Sequence, residues 1–250
     1  MKCLRNPNPD EMKKIIPLLG LLSVLLFSCD KKDPEPQEEE IRAYCSLFNF
    51  LSDPNDVSWT IDEVEFSEDH PYGNVITGAV LLADSTEEIS FIAESTSGTL
   101  LGSQLLEMEE NKHYIGIIHG TREEPILEFQ QVETAKPASS SMKFLFLHSA
   151  PMADSVDVYM GGTETEKRVI EDLDYKQYSG YFEVSEFDVR ASVIVSLHSP
   201  LYEEDKEVLR YEYNDLLVVG GNYFCVVAPV SSDPEDSEIQ LWLYDLPVEY

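Results

Sequence analysis

The chain has 250 residues, 43% hydrophobic and 26% charged, a composition typical of globular rather than disordered proteins. Its 48 acidic residues outnumber its 17 basic residues, and the formal net charge is -31. This charge repels nucleic-acid phosphates and anionic lipid head groups, which argues against nucleic acid as a partner. Any attachment to a membrane therefore needs another cause. The length fits one large or two small domains, since a domain typically takes about 100–200 residues.

The first elements, residues 1–28, are predicted to be a lipoprotein signal peptide. An uncharged run that is too short to span a bilayer comfortably follows Lys13 and Lys14. It ends in Leu26-Phe27-Ser28-Cys29, which resembles the lipobox of bacterial lipoprotein precursors, although Phe27 is bulkier than usual. The resemblance implies that Cys29 carries the lipid and becomes the mature amino terminus. The alternative is a plain secretory signal. Prolines and acids before Met12 suit no signal peptide, so translation is expected to start at Met12 and to omit Cys3.

Residues 29–40 are predicted to be an acidic tether, because two prolines and dense acids leave nothing to form a core. An acidic run directly after the lipid-bearing cysteine also resembles surface-export signals of lipoproteins in certain Gram-negative lineages. This resemblance implies an outer-membrane lipoprotein at the cell surface, with the periplasm as the alternative.

From Ile41 onward the sequence predicts an all-β protein, because short runs rich in Val, Ile, Tyr and Phe alternate with turn residues. A short helix at Gly102–Lys112 is the one alternative to strands. Strands are predicted at residues 88–93, 113–118, 142–147, 155–160, 191–196, 223–227 and 239–244. Many short strands between regular turns are typical of β-sandwiches.

An internal repeat indicates two modules in this strand-rich body. Val57, Tyr72 and Tyr114 match Val156, Tyr175 and Tyr223, at separations of 99, 103 and 109 positions. We therefore expect a first β-sandwich at residues 41–134, a linker at residues 135–141 and a second β-sandwich at residues 142–250. The linker is rich in small residues and proline.

The segment Phe146–Gly162, which reads FLHSAPMADSVDVYMGG, resembles the H-A-S-P-D-A-P-x-V-D-V-Y-x-D-G signature of a domain-of-unknown-function family. That family occurs in exported bacterial proteins, commonly as tandem immunoglobulin-like β-sandwiches. The first module lacks the His-Ala-Ser-Pro part and keeps only the Val-x-Trp and Asn-x-x-Tyr strands. The resemblance implies a fold and a cellular address, and it carries over no catalytic residue.

No residue pattern in the sequence indicates an enzyme, a cofactor or a metal site. Cys45 and Cys225 are expected to be buried thiols or, alternatively, a disulfide, and no C-x-x-C is present. None of the histidines has a metal-ligand spacing. His148 is expected to hydrogen-bond a neighbouring turn near Asp154 or Asp157. The histidines are His70, His113, His119, His148 and His198.

Three weaker signals remain. Paired carboxylates of a hydrolase carry little weight among so many acids. The acidic loops at residues 53–56 and 232–238 match no twelve-residue calcium loop and are interpreted as solvated turns. A stacking platform for sugars is an alternative use of some aromatic residues. Its candidates are Tyr178, Tyr181, Phe182, Tyr202, Tyr211 and Tyr213.

Together these patterns predict a non-enzymatic cell-envelope lipoprotein that binds a protein or glycan ligand or acts as a scaffold. The alternatives are a carbohydrate-binding accessory of a glycan uptake system and a subunit of a surface fibre.

The lipid anchor leads to a first prediction. The Cys29→Ser variant should move from the membrane pellet to the soluble fraction, because buried acyl methylenes contribute ~0.8 kcal/mol each and serine accepts no lipid. Fractionation and mass spectrometry of the mature amino terminus measure this, with Cys45→Ser as the control. A Cys29→Ser protein that pellets like the parent would contradict the anchor.

Overall fold

The computed structural model describes residues 40–52, 56–160, 167–185, 193–198, 208–211, 217–233 and 238–248. These residues form β-strands and turns with no α-helix, which confirms the predicted all-β fold of tandem β-sandwiches. Within these ranges no helix is long and apolar enough to cross a membrane. The predicted signal peptide and residues 29–39 of the tether lie outside them.

The first sandwich consists of eight strands in two sheets. Its inner sheet has the order β4-β1-β7-β8, and its outer sheet has the order β3-β2-β5-β6. The first and seventh strands pair in parallel, and all other neighbours are antiparallel. The strands are β1 Arg42–Ser52, β2 Val57–Ile61, β3 Val64–His70, β4 Val75–Leu81, β5 Thr86–Ser95, β6 Leu100–Glu109, β7 His113–Thr121 and β8 Pro125–Gln131.

The second sandwich repeats this arrangement strand for strand. Its inner sheet has the order β12-β9-β15-β16 and its outer sheet the order β11-β10-β13-β14, again with one parallel pair, β9 and β15. A constant-type immunoglobulin domain has seven strands, so each module has one more. The strands are β9 Ser141–His148, β10 Ser155–Met160, β11 Arg168–Asp174, β12 Phe182–Ser185, β13 Val193–His198, β14 Val208–Tyr211, β15 Asn222–Pro229 and β16 Ile239–Leu246.

Each sandwich encloses its own core between its two sheets. Trp59 and Phe91 are fully buried in the first core, and Phe146 and Val158 occupy the second. Cys45 and Cys225 are free and buried, one in each core. Burial raises the pKa of Cys45 to about 12, so this thiol stays protonated.

A third core joins the two inner sheets face to face. Phe48 and Phe50 of β1 pack with Leu145 of β9 and Phe224 of β15, all with at most 1% exposure. Strands β1, β7, β9 and β15 are therefore buried on both faces, which explains their nearly continuous apolar sequences. The two sandwiches share one body that contains three apolar layers.

Aromatic side chains close one end of this shared core. The turn between β3 and β4 carries Tyr72, whose hydroxyl donates to the Pro229 carbonyl at 2.9 Å. In return, the Tyr244 hydroxyl donates to the Gly73 carbonyl at 2.7 Å. A β-carbon at Gly73 would lie 2.5 Å from the Trp242 ring, so only glycine permits this approach.

The connection between the modules is held by hydrogen bonds. The Lys143 ammonium donates to the Ala135 carbonyl at 3.0 Å, and the Asn222 amide donates to the Glu133 carbonyl at 2.9 Å. The Ala138 N–H donates to the Glu183 carboxylate at 3.0 Å. These contacts fix the linker segment against β9, β12 and β15.

The alternative of a helix at Gly102–Lys112 is wrong, because Leu100–Glu109 forms β6. This strand pairs with β5 through nine residue pairs, and Leu101 and Met108 point into the first core. Leu, Gln, Glu and Met favour helix in isolation, but pairing with an adjacent strand overrides this preference.

The contact at Gly73 leads to a second prediction. Gly73→Ala should lower the free energy of unfolding by about 1–3 kcal/mol more than Gly98→Ala, because added atoms overpack a filled site. Both glycines have positive φ, 71° and 80°, so the backbone cost is matched, but a β-carbon added at Gly98 would have no atom within 4 Å. Chemical denaturation measures both. Equal losses would mean that the Trp242 contact contributes nothing.

Candidate functional site

His148, at the end of β9, organises a turn and has no free ring nitrogen. Its Nδ1 accepts the Ala150 N–H at 3.3 Å, and its Nε2 donates to the Ala153 carbonyl at 3.0 Å. Its hydrogen-bond partners are thus backbone groups of the predicted turn rather than the carboxylates of Asp154 or Asp157. Burial lowers the pKa of His148 to about 4, so the ring is neutral at pH 7. This arrangement supports a structural role.

The first module places an asparagine at the same position. The pairing of β1 with β7 and of β9 with β15 aligns Asn49 with His148. The Asn49 side chain also accepts the N–H two residues onward, that of Leu51, at 3.1 Å. Its amide donates to the His70 carbonyl at 2.7 Å. Two different side chains at equivalent positions thus accept the N–H two residues onward.

A histidine, a serine and a glutamate meet between the modules without forming an accessible catalytic site. His119 Nδ1 lies 3.2 Å from the Ser149 hydroxyl, and His119 Nε2 lies 3.8 Å from the Glu128 carboxylate. His119 is fully buried and Ser149 is 1% exposed, so no substrate reaches the hydroxyl. His119 Nε2 and the Tyr178 hydroxyl have no hydrogen-bond partner among the described residues. The cluster is a buried polar contact of the interface.

The proposed aromatic platform is not assembled by the described residues. Tyr178 and Tyr181 pack against the core between the modules, and both hydroxyls are buried. Phe182 packs on the second core, stacked on Phe144 and Phe146. Tyr202 and Tyr213 lie outside the described residues, and of Tyr211 only its place on β14 is described.

A polar groove lies on the outer sheet of the first module. It has a volume of about 380 Å³ and an open mouth. Short hydroxyl side chains of β2 form its floor, and carboxylates of β3 and β5 form its walls. Its lining residues, which define the polar groove, are Ser58, Thr60, Glu65, Glu68, Asp69, Glu94, Ser95, Thr96 and Gly98.

The second module fills the corresponding space with its own side chains. Thr60 of β2 pairs with Glu65 of β3 in the first module. The equivalent pair in the second module is Tyr159 of β10 and Arg168 of β11. Ser58 pairs with β5 in the same way as Asp157 pairs with β13, so these two residues are equivalent as well.

Asp157 is fully buried there and is held by several groups. It accepts the Asp172 N–H at 2.9 Å and the Tyr159 hydroxyl at 3.3 Å, and the Arg168 guanidinium lies 3.6 Å away. The first module has Ser58, Thr60 and Glu65 at these positions, and the smaller Ser58 and Thr60 leave room for the polar groove.

The chemistry of the polar groove is that of a hydrogen-bond acceptor. Glu65, Glu68, Asp69 and Glu94 bring four carboxylates to it, and no Lys or Arg lines it. A ligand that donates hydrogen bonds fits such a site. Among the described residues no group of three or more His, Cys, Asp or Glu side chains has metal-binding geometry. The acidic loops at 53–56 and 232–238 lie partly outside the described residues.

Sequence reasoning did not find the polar groove, although the repeat contains its signal. In an alignment of the two modules, Glu65 corresponds to Arg168, so the charge at this strand position is reversed between the modules. The small residues Ser58 and Thr60 correspond to Asp157 and Tyr159 in the same alignment. Together these differences indicate the polar groove. Recognising it needs the strand register, because β2 pairs with β3, and β10 with β11, through an irregular register.

Comparisons with known proteins add little. No family model and no curated protein matches the chain, so the signature at Phe146–Gly162 remains a resemblance. One solved structure, described as "Alpha-glucan binding by a streptococcal virulence factor", aligns with 79% of this chain and 95% of its own. The sequence identity is 12% and the TM-score is 0.25. A likeness of this size carries no inference about this chain.

The buried neutral His148 leads to a third prediction. Its pKa is about 4 in the folded protein, against an ordinary value of 6.5, so between these pH values the unfolded chain binds a proton that the folded chain does not. The free energy of unfolding should therefore fall as pH decreases from 6.5 to 4, by on the order of 3 kcal/mol from this group.

His148→Asn, which installs the first module's residue, removes this titration. The difference in stability between parent and variant should shrink or reverse from pH 7 to pH 4, as measured by urea denaturation. The control is His113→Asn, because His113 stacks on Tyr44 at the end of a strand and is only half-buried. A parent and a His148→Asn variant with parallel pH profiles would show that His148 does not carry the effect.

Proposed function

We propose that this chain is a non-enzymatic, lipid-anchored protein of the outer membrane that binds a glycan in the polar groove of its first module. One observation carries the binding site: the first module has an open, acceptor-lined groove where the second module has a closed network of Asp157, Tyr159 and Arg168. The anchor rests on Cys29 and its preceding residues.

The groove chemistry favours a polyhydroxylated ligand. Carboxylates accept hydrogen bonds from neighbouring sugar hydroxyls, and the Thr60 hydroxyl can both donate and accept. The Ser58 hydroxyl donates to the Glu94 carbonyl at 3.3 Å, so it serves the ligand as an acceptor. A bond to a charged acceptor contributes about 1.5–3 kcal/mol, so a few such bonds give measurable affinity. The sheet beneath is hydrogen-bonded on both sides of β2, which keeps the acceptors in place before the ligand arrives. A cationic ligand is the competing class that the same carboxylates attract.

Scaffolding is the second candidate function, and a specific observation favours it. The two inner sheets bury an apolar layer between the modules, and hydrogen bonds fix the connection. Such a body holds its outer sheets at a constant separation, as a spacer does. The two roles are compatible, because the groove lies on an outer sheet.

The fourth prediction tests the groove with residues taken from the second module. The triple variant Ser58→Asp, Thr60→Tyr and Glu65→Arg should fill the groove and abolish glycan binding. The single variant Glu68→Gln should weaken binding about tenfold, the loss of one charge-assisted hydrogen bond. A glycan array identifies ligands for the parent, and calorimetry measures the affinity of each variant.

The matched control is Glu107→Gln, which removes an exposed carboxylate from β6, outside the groove. It should bind like the parent. Circular dichroism and denaturation confirm that the triple variant folds. An array without hits, binding of polyamines in place of glycans, or full binding by a folded triple variant would each contradict the proposal.

A further inference from the structure

A second, apolar groove lies on a different side of the first module, between its two sheet edges. β3 ends the outer sheet and β4 ends the inner sheet, so the groove lies where the sandwich is open. Its volume is about 250 Å³. We define this edge groove by its lining residues Ile61, Asp62, Val64, Phe66, Ala79, Val80 and Leu81.

The edge groove exposes large apolar side chains to water. Val64 is 68% exposed and Leu81 is 61% exposed, one on each side of the groove. Phe66 forms its base and lies over Gly78, where a β-carbon would be 2.5 Å from the ring. Natural proteins usually protect sheet edges with charges or short strands, so an apolar edge marks an interaction surface.

The second module again provides an internal comparison, because several exposed positions of its corresponding edge carry polar side chains. The pairing of β1 with β4 and of β9 with β12 aligns Ala79 with Glu183 and Leu81 with Ser185. The pairing of β3 with β2 and of β11 with β10 aligns Glu65 with Arg168, so Val64 corresponds to Lys167. The exposed apolar side chains of Val64 and Leu81 are therefore a feature of the first module that the fold does not require.

The geometry of β4 suits the addition of a strand. β4 pairs with β1 through seven consecutive residues, so its backbone is regular, whereas the pairing of β3 with β2 is interrupted by register shifts. Its outer edge has no neighbouring strand among the described residues. An extended peptide gains main-chain hydrogen bonds at such an edge, and its alternate side chains enter the adjoining groove.

Charge decides which peptide fits. Asp62, Glu63 and Glu65 are exposed along the rim, and the chain as a whole has a net charge of -31. A second copy of this chain would bring the same charge and be repelled. Residues 30–40 of the tether are acidic and contain no large apolar side chain, so they suit neither the groove nor its rim.

We propose that the edge groove binds an extended segment of a partner protein with alternating apolar and basic side chains, which adds a strand to β4. The apolar side chains, every second one along the segment, face the edge groove, and the basic side chains between them are attracted by the negative charge of the chain. This surface shares Glu65 of its rim with the polar groove but does not depend on a glycan ligand.

The fifth prediction uses a short synthetic peptide that alternates valine and lysine, labelled for fluorescence anisotropy. It should bind the parent protein, and the affinity should fall with added salt, because charge contributes. Leu81→Ser should weaken binding about tenfold, the loss of a partly buried leucine. Hydrogen exchange should show new protection of the Val75–Leu81 amides and none in β6.

Two controls make the result decisive. Leu105→Ser removes an equally exposed leucine, 60% exposed on β6, and should bind the peptide like the parent. The groove-filling triple variant at Ser58, Thr60 and Glu65 loses the Glu65 rim charge but should keep the Leu81-dependent part of the affinity. The proposal is overturned if the peptide does not bind, if a valine–glutamate peptide binds equally well, if both leucine variants lose the same affinity, or if protection appears away from β4.

Discussion

The packing of the two inner sheets against each other is the constraint on which the rest of the structure depends. Each large apolar side chain in that layer contributes about 1.5–3 kcal/mol when it leaves water. Phe48, Phe50 and Phe224 are among these side chains. The layer forces β1, β7, β9 and β15 to be apolar on both faces, and it brings the turn at Tyr72 against β16. Neither sandwich could change these strands without disturbing two cores at once.

The outer sheets are free of this constraint, and the two modules differ most there. Each outer sheet has one face in a core and one face toward solvent, as antiparallel sheets commonly do. On the solvent face the second module has a network around Asp157, whereas the first has a groove. The edge beside β4 is apolar, and the edge beside β12 has a hydrogen bond from the linker to Glu183. The two modules thus share the arrangement of their interior and differ at their exterior.

The sequence was sufficient for the fold class because the signals that determine strands are local. Alternation and β-branched residues predicted β5, β7, β9, β10, β13, β15 and β16, and the predicted fold of tandem β-sandwiches is confirmed. At β6 local preference favoured a helix, and a non-local pairing with β5 decided otherwise. Continuous apolar runs such as Phe144–Leu147 are typical of strands buried on both faces, but they do not reveal which second surface covers them.

The candidate sites could not be read in the same way, since they join residues that are distant in sequence. The polar groove combines Ser58, Glu65 and Glu94 from three strands, and its existence depends on side chains that are small or absent. Tyr178 and Tyr181 had suggested a platform for sugars, but nothing in their neighbouring residues indicates that the other module covers them. Burial of an aromatic ring is a property of the assembled body.

The order in which the chain is made gives the shared apolar layer a further importance. The inner sheet of the first half is complete once β8 exists, yet its face with Phe50 and Ile117 finds no cover until β9 and β15 follow. A chain that ends after the first half would therefore expose this apolar face of its inner sheet to solvent, where it favours aggregation. Each half covers an apolar sheet face of the other. Neither half is therefore an independent module that recombination could transfer alone to another protein.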